Sequence, residues 1–389
     1  MAGLKTAAAA LPFWVAVALI QKFNWDLGLW KGLVLLAVLA ALPFVTATAQ
    51  RRRLDDGRPP RALAIAGLTL LVLQTGYALK ELRHPSPIDA ATTTLAAGDL
   101  LRRGEDPYAA RIDGSGEVQA GDARYSGYKY LPLTIAAYLP LGAPLGERGV
   151  VLTNLLLHLA VVWLIFRLAA DMAGASAGWM AVCLYLSLPL VPFQLFAKGV
   201  TDLAAVLPVI AALLLVERNA ALTGLCVGLS LAAKPLPGAL LLPCCLPAER
   251  RARLAYALGV GVGLIPVLPF LIWHPQAFID NVVVFTLVRP ADSTSWLFFA
   301  PPAAAVLAPV ALAGAYLAAL VHAWRRPPAL ARRCGLAAML IVAAILAGPA
   351  AHHNYQLWWL PPMAALLGAA LMPNTSKAPV FPVSPRRFG

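Results

Sequence analysis

The sequence predicts an all-α fold, a polytopic membrane bundle of about 12 transmembrane helices with a large polar loop near its beginning. Hydrophobic residues make up 60% of the 389-residue chain and charged residues only 13%, whereas soluble domains carry about 25% charged residues. Apolar runs of roughly 20 residues, long enough to cross a bilayer, recur along the chain. We therefore expect one transmembrane domain over residues 1–372 and a disordered, Pro-rich cytoplasmic tail over residues 373–389.

The charge pattern and the cysteines exclude two other classes of protein. The net charge of +13 does not indicate a nucleic-acid-binding surface, because the basic residues form short runs at the ends of apolar segments. Such runs are typical of loops that stay on the cytoplasmic side of a membrane. The cysteines lie in or beside apolar runs, and their spacing does not suit zinc. We expect no metal site and free, buried thiols at Cys183, Cys226, Cys244, Cys245 and Cys334.

The first three predicted spans lead to the most polar part of the chain. The span from Thr6 to Ile20 has no small-residue cleavage site behind it, which predicts an uncleaved helix with a cytoplasmic N-terminus. The second span returns from Leu33 to Ala49, and the third runs outward from Ala62 to Leu79. The loop that follows, Lys80 to Tyr130, holds eight of the protein's 18 acidic side chains. We predict that this outer loop is the catalytic segment.

The next five predicted spans alternate in direction across the membrane. Span six is expected to end at Lys198 on the cytoplasmic side. Span eight is long, and Lys234 stands beside Pro235 and Pro237, which predicts a kink or a split into two half-spans. The five ranges are Leu131–Leu145, Val150–Ala169, Gly178–Phe196, Val200–Val216 and Ala220–Leu246.

Spans nine to twelve leave two further polar segments on the same predicted face as the large loop. The first is 274–295, which carries Arg289 and Asp292. The second is 350–355, which carries His352 and His353. All strongly basic short loops fall on the other face in this arrangement. We therefore expect the three polar segments to meet outside the membrane.

Asp89 is the first candidate for catalysis. It precedes Ala90–Arg103, a stretch that can form a short interfacial helix ending at Gly104. A carboxylate at the start of such a helix could accept a proton from an acceptor hydroxyl. Aspartate is also an ordinary N-cap residue. The residues alone leave both interpretations open.

Three other residues of the large loop are candidate ligands. The motif Gly104-Glu105-Asp106-Pro107-Tyr108 is typical of a helix stop followed by a turn, and that structural interpretation is favoured. The alternative is that Asp106 and Tyr108 contact a polar substrate at the membrane surface. Lys129 lies among tyrosines where the loop returns to the bilayer. It is either an interfacial anchor or a ligand of a lipid phosphate.

Lys234 is the most unusual charge of the apolar spans. A lysine near the middle of a span costs at least a few kcal/mol unless it is paired or hydrated, so such residues indicate functional sites. The alternative is a hinge lysine that snorkels or pairs within the bundle. Lys198 and Asp202 stand four residues apart at a predicted cytoplasmic helix start, which predicts a local ion pair.

The predicted outer segments also carry cationic groups. Arg289, His352 and His353 are expected to face the same compartment as the acidic loop. Cationic groups without an evident partner in sequence favour an anionic ligand. They indicate a substrate that contains phosphate.

Several short motifs follow one another in a characteristic order. They are Ile88-Asp89, Gly104-Glu105-Asp106-Pro107-Tyr108, Tyr130-x-Pro132, Gly228 six residues before Lys234, Pro237, and His353-Asn354-Tyr355. Together they resemble the polyprenol-phosphate-dependent glycosyltransferases of the C-type fold, closest to the bacterial alpha-mannosyltransferase-like glycosyltransferase 87 family. The sequence departs from the family pattern in two respects. Three spans precede the large loop where many members have one, and no second acid lies close to Asp89, the next being Asp99.

The resemblance implies a multi-pass enzyme of the bacterial plasma membrane. Such an enzyme transfers a sugar, with inversion, from a polyprenyl-phosphate donor to a glycolipid or cell-envelope glycan at the outer face. The sugar is expected to be mannose or another hexose or pentose, and no metal or cofactor beyond the donor is implied. The implied roles are base for Asp89 and donor-phosphate ligands for Lys129, Arg289 and a histidine of the pair His352 and His353. We also expect Lys234 to bind the donor phosphate, and Asp106, Tyr108 and Tyr355 to contact substrate.

Two alternatives from other classes stay open at this point. A transporter or lipid flippase would use Lys234 and the broken eighth span as a binding site at the membrane midplane. A non-catalytic subunit of an envelope-assembly complex would depend on neither Lys234 nor Asp89. A weak inverted repeat would favour transport, and none is evident by inspection.

Overall fold

The computed structural model describes residues 61–113, 118–120 and 123–371. The first two predicted spans, the arginine-rich segment after them and the predicted tail lie outside the described residues. The elements up to the middle of the chain are α1 (Arg61–Glu81), α2 (Asp89–Arg102), β1 (Val118–Ala120), β2 (Ala123–Tyr125), α3 (Pro132–Leu145), α4 (Glu147–Ala173), α5 (Ala175–Leu186), α6 (Leu190–Ala197) and α7 (Leu203–Leu215). The remaining helices are α8 (Ala220–Ala233), α9 (Pro235–Leu241), α10 (Arg250–Trp273), α11 (Pro275–Val288), α12 (Pro302–Arg325), α13 (Leu330–Ala347) and α14 (Gln356–Leu371).

The boundaries of the helices near the predicted site follow from local sequence. α2 begins directly after Pro85-Ser86-Pro87-Ile88, and the chain leaves it at Gly104, whose φ of +76° lies in the left-handed region that glycine adopts without strain. α8 ends at Lys234, whose backbone is extended at φ −141° and ψ 124°. A residue before proline avoids the α region, so Pro235 forces this break.

The described helices include the long apolar ones expected of a membrane protein. Five are long and apolar enough to cross a bilayer, or six if the bent pair α5 and α6 counts as one span with a 61° bend. The total of about 12 therefore stays a prediction. The five are α1, α4, α10, α12 and α13.

The predicted fourth span is not a membrane crossing of the expected kind. α3 has 14 residues, which gives a length of about 21 Å against a hydrocarbon thickness of about 30 Å. It packs against α2, with Gly98 of α2 next to Leu139 and Gly142 of α3 next to Leu95. The prediction of a span at Leu131–Leu145 was wrong because its apolar surface packs on the interfacial helix α2.

Because α3 does not cross the membrane, the spans after it run in the opposite direction to the one predicted. The amide of Ile88, just after α1, donates to the carbonyl of Lys198 (2.9 Å), and Gly199 lies against Pro87. Lys198 is therefore at the end of the bundle where α1 passes into the large loop, which we call the loop end. The prediction placed Lys198 at the opposite end, and that was wrong.

Because the chain turns back at Lys234, the helices after this break run in the directions that the sequence predicted. α8 reaches the loop end, where the amide of Leu131 donates to the carbonyl of Ala233 (3.3 Å). The chain after α9 lies at the other end, because residues near the start of α10 pack against the start of α8, with Gly224 against Tyr256 and Gly259 against Ala221. The predicted eighth span is thus two segments that run in opposite directions, which is the split that Pro235 and Pro237 predicted.

One element departs from the all-α prediction. β1 and β2 form a two-stranded antiparallel hairpin in the large loop, with Val118 opposite Tyr125. Strands of three residues are too short to give an alternating hydrophobic pattern, so the sequence did not indicate them. The rest of the described fold is helical.

The prediction of free thiols is confirmed for all five cysteines, but the prediction that all are buried was wrong for two of them. All five are free thiols, and Cys244, Cys245 and Cys334 are buried, while Cys183 and Cys226 are partly exposed. The three buried thiols lie close to Arg333, whose guanidinium donates to the carbonyls of Cys244 (2.7 Å) and Leu246 (3.2 Å).

Candidate active site

Three polar segments meet at the loop end, as predicted. They are the first segment (80–130), the second segment (274–295) and the third segment (350–355). The first and second are joined by the Gly127 amide, which donates to Asn281 Oδ1 (3.0 Å). The second and third are joined where the Ala351 amide donates to Thr294 Oγ1 (3.0 Å). Residues far apart in sequence therefore form one surface at this end of the bundle.

Asp89 is the first residue of α2, and its side chain is exposed. Ile88, not Asp89, occupies the N-cap position. Asp89 Oδ1 accepts a hydrogen bond from the amide of Ala90 (2.8 Å). The capping alternative is thus only partly right, since the carboxylate contacts the first turn and still reaches solvent.

Tyr130 lies near both Asp89 and Lys234. Burial raises the pKa of Tyr130 well above its usual value, and the nearby Tyr355, Asp89 and Asp202 raise it further. Its phenol therefore stays protonated at neutral pH. The Lys234 ammonium lies 4.6 Å from the centre of the Tyr130 ring, within the range of a cation–π interaction.

Asp202 is the central acid that sequence reasoning missed. Its side chain is fully buried and forms an ion pair with Lys234 (2.9 Å). Trp358 Nε1 donates to the same oxygen (2.5 Å), and Asn354 Nδ2 donates to the other (2.9 Å). The predicted local pair with Lys198 was wrong, because α6 and α7 place Asp202 at the loop end beside the break in the eighth span.

A sequence signal for this pairing existed. Asp202 and Lys234 are opposite charges within apolar stretches, and such groups pair with one another because an isolated charge is costly there. Their separation of 32 positions hid the pairing from a search for local partners. Lys234 is 5% exposed, so the interpretation as a lysine that pairs within the bundle is confirmed.

Arg289 belongs to a second group of charged residues. Its guanidinium donates to Asp292 Oδ2 (2.7 Å) and to His352 Nε2 (2.9 Å). Because arginine only donates, His352 Nε2 is the acceptor in this contact. Arg289 and His352 are both partly exposed, so the remaining guanidinium donors are available to an anion.

Tyr355 connects the two groups. Its ring stacks on that of Trp358 with centroids 4.4 Å apart, and Trp358 in turn donates to Asp202. Burial raises the pKa of Tyr355 to about 12. The positive charge of Arg289 and its hydrogen bond to the phenol oxygen partly offset this increase. We call the combined set the charged centre, and its members are Asp89, Tyr130, Asp202, Lys234, Arg289, Asp292, His352, Asn354, Tyr355 and Trp358.

Lys129 occupies a neighbouring position. Its Nζ lies 3.5 Å from the carbonyl oxygen of Gly127 and 5.0 Å from the centre of the Phe285 ring. These contacts are at the junction of the first and second polar segments, whereas Lys234 lies beside Tyr130. Its role as a phosphate ligand stays a prediction.

Asp106 and Tyr108 have structural contacts. Asp106 is 5% exposed, accepts from the amide of Tyr108 (2.9 Å) and pairs with His274 Nδ1 (2.7 Å). Tyr108 is 1% exposed, and its hydroxyl donates to the carbonyl of Tyr130 (2.9 Å). Both side chains are buried in the contact between the first segment and α10–α11, which agrees with the favoured structural interpretation, and their role as substrate contacts stays a prediction.

The two adjacent histidines of the third segment have different surroundings. His353 begins the short 3₁₀ turn His353–Tyr355, while the contact with Arg289 is made by His352. Within the described ranges, no three His, Cys, Asp or Glu side chains are grouped as metal ligands would be.

Comparisons with known proteins agree with this architecture. The crystal structure of ArnT from Cupriavidus metallidurans bound to undecaprenyl phosphate is similar, with 18% identity and a TM-score of 0.53 over 79% of this chain and 59% of that one. ArnT in the apo state gives 17% identity and a TM-score of 0.50 over 87% of this chain. The chain thus spans 59% of the length of the ArnT chains. No match was found among the curated proteins.

The family assignment comes from the sequence of the central region. The model of glycosyltransferase family 87 matches residues 128–349, more than half of the chain. The matched region begins at Tyr128 and includes Asp202, Lys234 and Arg289. The resemblance inferred from the short motifs is therefore confirmed, and the chain belongs to glycosyltransferase family 87.

Proposed function

We propose that this protein transfers a sugar from a polyprenyl-phosphate donor to an acceptor hydroxyl at the outer face of the bacterial plasma membrane. The observation that carries the proposal is the convergence of the exposed Asp89 carboxylate with Lys234 and Arg289 at one end of a family 87 bundle. The likeness in fold to an ArnT structure bound to undecaprenyl phosphate supports a lipid phosphate as the donor.

The proposed reaction is a single displacement. Asp89 accepts the proton of the acceptor hydroxyl while the hydroxyl oxygen forms a bond to the anomeric carbon of the donor sugar. The bond between that carbon and the phosphate oxygen breaks, and polyprenyl phosphate leaves with the electron pair. Because attack and departure occur on opposite faces, the configuration at the anomeric carbon is inverted.

The leaving phosphate needs cationic stabilisation as its charge develops. Lys234 and Arg289 supply it in our proposal, with Lys129 and His352 as further ligands. Tyr355 stays protonated below about pH 12 and can donate a hydrogen bond. Asp202 keeps Lys234 beside Tyr130 and acts as a positioning residue.

The sugar and the acceptor follow from the family resemblance. We propose a hexose or pentose, with mannose as the first to test, and a glycolipid or cell-envelope glycan as the acceptor. The reaction needs no redox chemistry, and the donor's phosphate is bound by protein cations, so we propose that no metal or cofactor takes part.

The transport alternative is not favoured by the position of Lys234. Its ammonium contacts the ring of Tyr130 in the first polar segment, and its partner Asp202 bonds Asn354 of the third. A residue held by both outer segments suits a donor-phosphate site at the loop end better than a carrier site between two repeats.

The test is an assay of donor consumption. The purified full-length protein is reconstituted in lipid and incubated with a panel of polyprenyl-phosphate sugars and a membrane lipid extract as acceptor. We expect one donor to be consumed and polyprenyl phosphate to be released. Consumption of no donor, together with movement of a lipid-linked sugar across sealed vesicles that depends on Lys234, would support transport instead.

A further inference from the structure

A separate cavity of about 330 Å³ lies between the first and second polar segments. Its volume is at the lower end of the range of small-molecule sites. The walls that the argument uses are Tyr108, Tyr125, Ser126, Gly127, Asp280 and Asn281. None of these residues has a role in the proposed transfer of the donor sugar.

The walls of this cavity are fixed by a buried amide. Asn281 is 8% exposed; its Oδ1 accepts from the Gly127 amide, and its Nδ2 donates to the carbonyls of Tyr108 (3.0 Å) and Ala277 (3.1 Å). A Cβ on Gly127 would lie 2.3 Å from the carbonyl oxygen of Tyr108, so only glycine fits there. The cavity is therefore held open by three chain segments bonded to one side chain.

The chemistry of the lining selects for a neutral, hydroxyl-bearing ligand. Asp280 is the one charged side chain among the described residues that line the cavity. It is partly exposed, and one of its oxygens accepts from Gln276 (2.9 Å). A carboxylate accepts hydrogen bonds from hydroxyl groups and repels anions. With two tyrosines and peptide groups around it, the cavity suits a sugar and does not suit a phosphate.

The wall of the cavity contacts a member of the charged centre. Tyr108 forms part of its wall, and the Tyr108 hydroxyl donates to the carbonyl of Tyr130, the residue whose ring lies against Lys234. We infer that the cavity binds a neutral sugar unit of the acceptor, beside the centre that binds the donor phosphate. This inference rests on the proposed function and adds the chemical class and the binding place of the acceptor.

The inference is tested by binding without catalysis. Saturation-transfer NMR on the purified full-length protein in detergent uses two neutral probes, methyl α-D-mannopyranoside and methyl α-D-glucopyranoside, and one anionic probe, mannose 1-phosphate. We expect at least one neutral probe to bind. Asp280→Asn should weaken that binding by about tenfold, the loss expected for a hydrogen bond to a charged group. Ala109→Trp should abolish it, because the indole fills the exposed side of the cavity. Asp99→Asn, on the exposed surface of α2, is the matched control and should have no effect.

The competing outcomes are distinguishable. Binding of no neutral probe, or binding that is unchanged in both Ala109→Trp and Asp280→Asn, would overturn the inference. Asp89→Asn should bind the neutral probe as the unchanged protein does. If donor consumption is normal while no neutral probe binds, the inference fails and the proposed function stands.

Discussion

At the scale of single residues, the pairing of Asp202 with Lys234 offsets the free-energy cost of burying either charge alone. Either charge within an apolar segment would be costly. Together, and with bonds from Trp358 and Asn354, they are satisfied. Removing one partner of a buried ion pair is far more costly than removing both, because a single change leaves an uncompensated charge.

The first prediction concerns this pair. Asp202→Asn should destabilise the protein by about 3–5 kcal/mol, because the Lys234 ammonium loses its counter-charge. The double variant Asp202→Asn with Lys234→Met should recover much of that loss, and both variants should lose sugar transfer. Thermal unfolding in lipid followed by tryptophan fluorescence measures stability. Equal unfolding temperatures for the unchanged protein and Asp202→Asn would contradict the pairing.

The second prediction concerns the base. Asp89→Asn should lower the rate of transfer by about 100- to 10,000-fold, the range for loss of a general base. The fold should be unaffected, because the side chain is exposed and an asparagine oxygen can still accept from Ala90. Donor consumption is the measurement, and Asp99→Asn on the same helix is the control. Transfer at an undiminished rate would remove Asp89 from the mechanism.

At the scale of elements, the break at Lys234 depends on close packing of α8 against α10. Gly224 and Gly228 of α8 face Tyr256 and Val260 of α10, so the two backbones nearly touch. Small residues spaced four apart are typical of such contacts between membrane helices. The packing fixes the height at which α8 ends, and hence the position of Lys234.

The third prediction tests this contact. A Cβ at Gly228 would lie 2.3 Å from the carbonyl oxygen of Val260, so Gly228→Ala should destabilise by about 1–3 kcal/mol through overpacking. Gly261→Ala on α10 is a matched control, because no atom lies within 4 Å of its added Cβ. Thermal unfolding compares the two. A loss of stability in Gly261→Ala equal to that in Gly228→Ala would argue against a specific contact.

At the scale of the whole molecule, the direction of the chain decides which charges share a compartment. Lys198 bonds the segment after α1, so it is expected on the same side of the membrane as the first polar segment. Arg325, at the end of α12, is expected on the opposite side. We propose that the first of these sides is the outer one.

The fourth prediction is a labelling pattern. In a background without the five native cysteines, Ser86→Cys and Lys198→Cys should react with a membrane-impermeant maleimide in intact cells. Arg325→Cys should react only after the membrane is permeabilised. Labelling of Lys198→Cys together with Arg325→Cys, and not with Ser86→Cys, would show that α5 and α6 run in the other direction.

The sequence by itself determined the class of the protein and several local features. Hydropathy identified the membrane bundle, Gly104 and Asp89 marked the ends of α2, and Pro235 marked the break at Lys234. These features depend on neighbours within a few residues, so local composition is enough to predict them. The short motifs around them were also enough to indicate glycosyltransferase family 87.

Only the tertiary structure decided which polar groups meet. The pairing of Asp202 with Lys234, the contact of Arg289 with His352 and the burial of Asp106 against His274 join positions 32, 63 and 168 residues apart. Such contacts depend on how the helices pack and in which direction each one runs. A helix of 14 apolar residues illustrates the reason, because hydropathy reports that α3 must be buried but not whether lipid or α2 covers it.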